Sequence, residues 1–225
     1  MTSKIRNDLL KRTLNDFLKQ WPLSAVKKMT LKEYVGLEDP DTFTQCVETR
    51  TRRLGSIRGW GSIKFGIYKR KDQEKRHKNY WDDSEYTWMK RFGETRRGAF
   101  KQIRNCVVKT IECAQKGNFE TIDEIQLPDF YKWKIACLYS NQRLVPIFKK
   151  GILENIYQHY AGATREPMLV SKVQQLMMRN KPSDLSVHEF MRQLDKAFHQ
   201  REGDWSNKGN RNRRKLPPKE NRKKV

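Results

Sequence analysis

The stretch RLGSIRGWGSIKFGIYKRK, residues 53–71, sets glycines, a tryptophan and basic side chains around a short apolar core. Such residues serve a glycine loop cradling a nucleotide phosphate, a surface gripping a nucleic-acid backbone, or a simple turn. A phosphate loop needs GxxxxGK followed by Ser or Thr at the mouth of a helix, where backbone amides meet the phosphates. GSIRGWGSIK lacks that spacing and no helical pattern follows it; GxGxxG is absent too, so no cofactor is expected. The nucleic-acid reading fits better. Arg50, Arg52, Arg53, Arg58, Lys64, Lys69, Arg70 and Lys71 suit phosphate contacts. Trp60 and Tyr68 are candidate base contacts, and Tyr80 and Trp81, after a basic loop, could stack on a base or wedge a groove. Each has an ordinary alternative: Trp60 between glycines also suits a cap on the core, and the cations also suit a solvated face.

Other chemistries find less support. A metal-dependent nuclease gathers carboxylates, but Asp39, Asp41, Asp82, Asp83, Asp123, Glu124 and Asp129 fall at helix starts or in loops, where capping accounts for them. His77, His159, His188 and His199 have no partner at ligand spacing, and Ser56 and Ser62 have no evident triad. Cys46, Cys106, Cys113 and Cys137 form no CxxC and read as buried free thiols of a cytoplasmic protein. No catalytic residue and no metal ligand is assigned. The amino-terminal segment mixes charged with apolar residues and matches neither a signal peptide nor a membrane span.

Charge supports a polyanionic partner. The 225 residues carry a formal +22, and residues 50–104 hold 17 basic against 6 acidic side chains. Residues 204–225 add 9 against 2 in a run too polar to bury anything, which reads as a disordered basic tail adding non-specific affinity. The remainder, 36% hydrophobic over the whole chain, suffices for a core without disulfides.

The elements that would position these residues follow from periodicity. Ile5, Leu9, Leu10, Leu14, Phe17 and Leu18 predict an amphipathic helix over 3–20, ended by Pro22. A second helix is expected to open at Asp39 and Pro40 and run toward Leu54, its last turn carrying Arg50, Arg52 and Arg53. SIKFGIY alternates Ile63, Phe65 and Ile67 as a half-buried strand does, and residues 69–83 read as an exposed basic loop. Thr95 to Gly117 predicts a long helix with Phe100, Ile103, Val107, Ile111 and Ala114 on one face and Lys101, Arg104 and Lys109 off it. Residues 131–150 read as two strands around Ser140, Asn141 and Gln142, with Pro146 marking an edge. Helical patterns follow over 150–161, 167–180 and 186–201, the last opened by a Ser186/Glu189 capping box. The expected fold is α+β: a small, mostly antiparallel sheet flanked by helices, in one domain over 1–203 whose second half, from about residue 149, is helical.

One family shares these features. WPLSAVKKMTLKEYVGLEDPDTFTQCVETRTRRLGSIRGWGSIKFGIYKRKD, residues 21–72, followed by YKWKIACLYSNQRLVPIF, residues 131–148, resembles the amino-terminal region of McrB-like AAA+ proteins of methylation-dependent restriction systems. The resemblance rests on Trp21-Pro22, Met29-Thr30-Leu31, Glu33-Tyr34, Glu48-Thr49, LGSI, Gly59, KFGIY and the WKIA run with Leu138 and Tyr139, and covers roughly residues 10–200, most of the chain. It implies a module that binds duplex DNA and chooses the target, modified bases included in its range, while a nucleotide-driven motor or a nuclease acts in trans. No Walker A or Walker B context accompanies it, so translocation and cleavage are not implied for this chain. Arg58 and Trp60-Gly61 depart from the family pattern, which bears on base preference. RNA binding, a nuclease, or an interaction subunit of a defence complex are the rival expectations.

Overall fold

The computed structural model describes residues 3–36, 39–59, 61–70, 78–162 and 167–198, which fall in two compact units divided after Asn141. The division falls at a tight turn where Asn141 and Gln142 both adopt positive φ, 52° and 59°.

The first unit opens with α1 (Ser3–Gln20), which buries Leu10 and Phe17, followed by α2 (Leu23–Lys28) and α3 (Leu31–Tyr34). Thr30 and Glu33 close a capping box on α3, the Glu33 carboxylate accepting the Thr30 N–H at 2.7 Å. That bond and the Thr30 hydroxyl hold the Glu33 carboxyl below its ordinary range. The second helix starts later than expected, as α4 (Phe43–Gln45) with Thr42 before it. Asp39 is engaged otherwise: its Oδ1 accepts the Asp41 N–H at 2.8 Å, an Asx turn rather than a helix cap. The helical path then widens into a π turn at Cys46–Arg50, tightens into a 3-10 turn at Arg52–Leu54, and ends at Gly55 with φ 102°.

The strand expected over SIKFGIY is only half strand. Ser62–Phe65 is a 3-10 turn, Gly66 reverses at φ 83°, and β1 covers Ile67–Lys69. Apolar residues at every second position fit this turn-plus-strand as well as they fit a straight strand, because the turn also buries Phe65 while Ile67 faces the core. Gly66 is required by two independent facts: its positive φ, and a Cβ there would lie 2.9 Å from Phe92 Cε2 and 3.0 Å from Ile103 Cδ1. Gly66→Ala should lower stability by about 2–4 kcal/mol in urea denaturation, combining left-handed strain with overpacking.

β2 (Tyr80–Asp82) and β3 (Tyr86–Met89) complete an antiparallel sheet in the order β1-β3-β2. The segment 69–83, expected as loop, therefore contributes β2. The register aligns Ile67, Trp88 and Trp81 in one row and Tyr68, Thr87 and Asp82 in the next. Since side chains alternate, these rows face opposite sides of the sheet. The first side packs on α5 (Arg96–Lys116), which Thr95 caps and Gly117 ends in the left-handed conformation, as the sequence predicts.

After α6 (Phe119–Asp123) comes the largest departure, α7 (Asp129–Tyr139), a helix where the first of two strands was expected. It buries Tyr131, Lys132, Trp133, Lys134, Ile135, Ala136, Leu138 and Tyr139, so it is enclosed all round and shows no one-sided helical period. An enclosed helix and a buried strand look alike in sequence. Phe17, Phe43, Trp21 and Tyr139 form an aromatic cluster beside it, with Tyr139 donating to the Trp21 carbonyl at 2.5 Å.

In the second unit residues 143–148 belong to no strand: Leu144 is a bend, and Ile147 N donates back to Val145 O at 2.8 Å. The Gln174 amide holds this segment, accepting from Val145 N at 2.8 Å and donating to Val145 O at 2.9 Å. Three helices follow, α8 (Lys150–Ala161), α9 (Val170–Arg179) and α10 (Val187–Phe198), close to the expected spans. The predicted capping box is formed: Glu189 N donates to Ser186 Oγ at 3.2 Å and Ser186 N to the Glu189 carboxylate at 3.0 Å. The fold is α+β with a helical carboxyl-terminal half. The basic tail at 204–225 lies outside the described residues.

Candidate nucleic-acid interface

The segment that carries most of the candidate cations is held from beneath by two buried lysines. Lys134 of α7 is fully enclosed and donates to the carbonyls of Thr51 at 2.8 Å, Leu54 at 3.2 Å and Gly55 at 2.7 Å. Those carbonyls belong to the end of the irregular helical run, where Thr51 O also accepts the Leu54 N–H at 2.8 Å, and a lysine from another helix supplies a shared cap. Burial pushes the Lys134 ammonium down to about 7, against three acceptors of which a neutral amine could serve two. Lys132, two residues earlier in α7, repeats the device: its ammonium donates to Asp123 O at 2.7 Å and Ile125 O at 3.0 Å, closing the end of α6.

Lys64 is the second pin. Its side chain is 2% exposed, forms an ion pair with Glu48, and donates to Ile57 O at 3.5 Å. A charge so enclosed meets no phosphate, and the expectation that Lys64 is a phosphate contact is corrected: it ties the loop after Gly55 to the helical run that bears Glu48. Tyr34 adds a further tie, donating to Phe65 O at 2.8 Å and accepting from the Tyr131 hydroxyl at 3.1 Å. Burial raises both phenols far above their ordinary range, so they remain protonated donors.

The other candidates separate by what already neutralises them. Arg50 pairs with Asp41, and Arg70 is bound to Asp82 at 2.9 Å and to the Asp83 carbonyl at 3.3 Å, so neither is a ready cation. Arg52, Arg53, Arg58 and Lys69 are exposed, and no carboxylate of the described residues forms an ion pair with them. Trp60 and Lys71 lie outside the described residues. On either side of Trp60, Gly59 and Gly61 border open space: a Cβ built on either meets nothing within 4 Å. The backbone there is accessible to a close-approaching ligand.

The sheet divides the aromatic candidates. Tyr68 and Tyr80, both half-buried, lie on the face opposite the core row, flanking Thr87 and Met89 of the central strand. Trp81 lies on the core-side face at the sheet edge, 43% exposed, with the Lys90 ammonium 4.1 Å from its ring centroid. Tyr68 and Trp81 therefore do not form one stacking platform.

Carboxylates do not gather. Asp83 accepts from the N–H groups of Glu85 and Tyr86, Asp129 pairs with Lys132 at 3.0 Å, and the described residues contain no metal-holding group of three His, Cys, Asp or Glu. Burial pushes the cysteine thiols up, Cys137 to about 12, leaving them protonated. No helix among the described residues is long and apolar enough to cross a membrane. Sequence reasoning missed the pinning role of Lys134; the available signal was two lysines inside the otherwise apolar run YKWKIACLY. Compared with protein-family models, curated proteins and solved structures, the chain gives no match.

Proposed function

We propose that this chain is a DNA-binding module that grips the backbone of a duplex through the surface of residues 52–69, in the manner of the target-recognition region of McrB-like restriction systems, and hands the bound DNA to a motor or nuclease subunit. One observation carries the reading: Arg52, Arg53, Arg58 and Lys69 are exposed cations on a backbone pinned from beneath by Lys134 and Lys64. Cations fixed to a rigid scaffold meet phosphates without first ordering a loop, which lowers the entropic cost of binding. The open backbone around Gly59 and Gly61 and the half-exposed Tyr68 supply the closest approach to bases.

The family residues support a scaffold role. Trp21, Tyr34, Phe65, Trp133, Lys134 and Tyr139 are all buried. They belong to the frame, and target choice falls to Arg58, Gly59, Gly61 and Tyr68.

The test is binding of the full chain to matched duplexes, unmodified or carrying modified cytosine or adenine, and to the same sequence as RNA, at two salt concentrations. Duplex DNA should be preferred, and replacing Arg52, Arg53, Arg58 and Lys69 together by Ala should reduce the steepness of log K against log salt by about one for each side chain that holds a phosphate. Equal binding to every polyanion, vanishing with salt, would reduce the reading to net charge alone.

A further inference from the structure

A second cationic surface lies on α5, built from residues outside 52–69. Thr95, Arg97, Gly98, Phe100, Lys101 and Arg104 line an open groove of about 730 Å3. Arg97, Lys101 and Arg104 follow at intervals of four and three residues, so they lie along one stripe of the helix. Arg97 and Lys101 are exposed and form no ion pair with a described carboxylate. Arg104 is half-buried and fixed: it donates to Met29 O at 2.9 Å, and its guanidinium lies 5.6 Å from the Phe100 ring centroid. Neighbouring Arg96 differs in kind, being bound to Glu85 at 2.7 Å and Asp83 at 3.3 Å. Its charge is neutralised within the fold, while those of the stripe are left for a ligand.

The groove is lined by three cations and no acid, so its ligand is anionic. The stripe from Arg97 to Arg104 spans about 10 Å at 1.5 Å per residue. Over that length one strand of duplex DNA presents about three phosphates at 3.4 Å of axis each. Gly98 carries no side chain into the groove, and its N–H donates to the Thr95 hydroxyl at 3.1 Å.

We propose that the α5 groove is a second backbone-holding surface of the DNA-binding module, with Arg97 and Lys101 on successive phosphates of one strand and Arg104 as a fixed cationic wall. This rests on the reading of the chain as a DNA-binding module and extends its footprint from residues 52–69 to the long helix.

The experiment uses the full chain and a fluorescent duplex. Affinity is measured across a salt series for the unaltered chain, for Arg97→Ala/Lys101→Ala, and for the fourfold Arg52, Arg53, Arg58 and Lys69 variant. Acylation of Lys101 in the unaltered chain is read by mass spectrometry with and without DNA. The groove variant should bind about tenfold or more weakly at low salt, with a salt slope shallower by about two, and DNA should protect Lys101 from acylation. Unchanged affinity and slope with Lys101 equally reactive in both states, while the fourfold variant is weakened, would overturn the groove and leave the module reading intact. Failure of the unaltered chain to bind duplex at low salt would overturn both. Lys101 protection does not depend on any variant folding.

Discussion

Lys134→Met is expected to lower the unfolding free energy by about 3 kcal/mol or more, read as a fall in the urea midpoint. Met keeps the length and the apolar stem but donates nothing, so the carbonyls of Thr51, Leu54 and Gly55 lose their shared donor inside the protein. Thr51 O retains the Leu54 N–H at 2.8 Å, so the loss falls on the Leu54 and Gly55 carbonyls; each unsatisfied buried carbonyl costs about 1–3 kcal/mol, and release of the ammonium from its enclosure offsets only part of that. The pH dependence separates the two contributions. Burial lowers the folded-state value of Lys134 to about 7, against 10.5 for the free side chain. Between those values the unfolded chain binds more protons than the folded one, so this group makes stability rise with pH over that interval. Below about pH 7 both states are protonated and the full penalty is present. Urea curves at pH 7 and pH 9 should therefore show the gap between wild type and Lys134→Met widening with pH. Three carbonyls favour the protonated form and make the rise smaller than burial alone would give. A gap that does not change would mean that the cage holds the proton throughout. Lys134 also pins the turn that bears Arg52 and Arg53, so the variant should bind DNA more weakly although Lys134 itself is enclosed and touches no ligand.

Legibility in the sequence followed one-sidedness. The helix from Thr95 to Gly117 was readable because it has a capping residue, a stop glycine and one apolar face; the Ser186/Glu189 box was readable for the same reason. α7 was not, because it is buried on all sides and periodicity reports only a boundary between core and solvent. SIKFGIY was half readable: alternation marked which residues go inward, while the reversal at Gly66 depends on Phe92 and Ile103, which lie far along the chain. The candidate site divides on the same principle. Exposure of Arg52, Arg53, Arg58 and Lys69 accords with a charge excess that local sequence displays, whereas the sequestration of Lys64 and Arg70 depends on Glu48 and Asp82, 16 and 12 residues away. A basic residue in sequence is a cation; whether it is a free one is decided by tertiary structure.

That distinction makes Lys64 the second large effect. Lys64→Met leaves the Glu48 carboxylate, 17% exposed, without its partner and should cost about 3 kcal/mol, near the lower end for breaking a buried pair because water still reaches the acid. Glu48→Gln/Lys64→Met removes both charges and should recover most of the loss, since a buried pair replaced as a unit is often near neutral. The coupling in this double-mutant cycle measures the ion pair, and urea denaturation of the four proteins supplies it. The same double variant tests the interface. With the scaffold restored, its DNA affinity and salt slope should match wild type, because Lys64 contributes a tie between the Gly55 loop and the helical run and no phosphate contact. A slope shallower by about one would place Lys64 on the DNA backbone instead. Stability recovered together with an unchanged slope assigns Lys64 wholly to the frame, and leaves Arg52, Arg53, Arg58 and Lys69 as the cations that the frame presents.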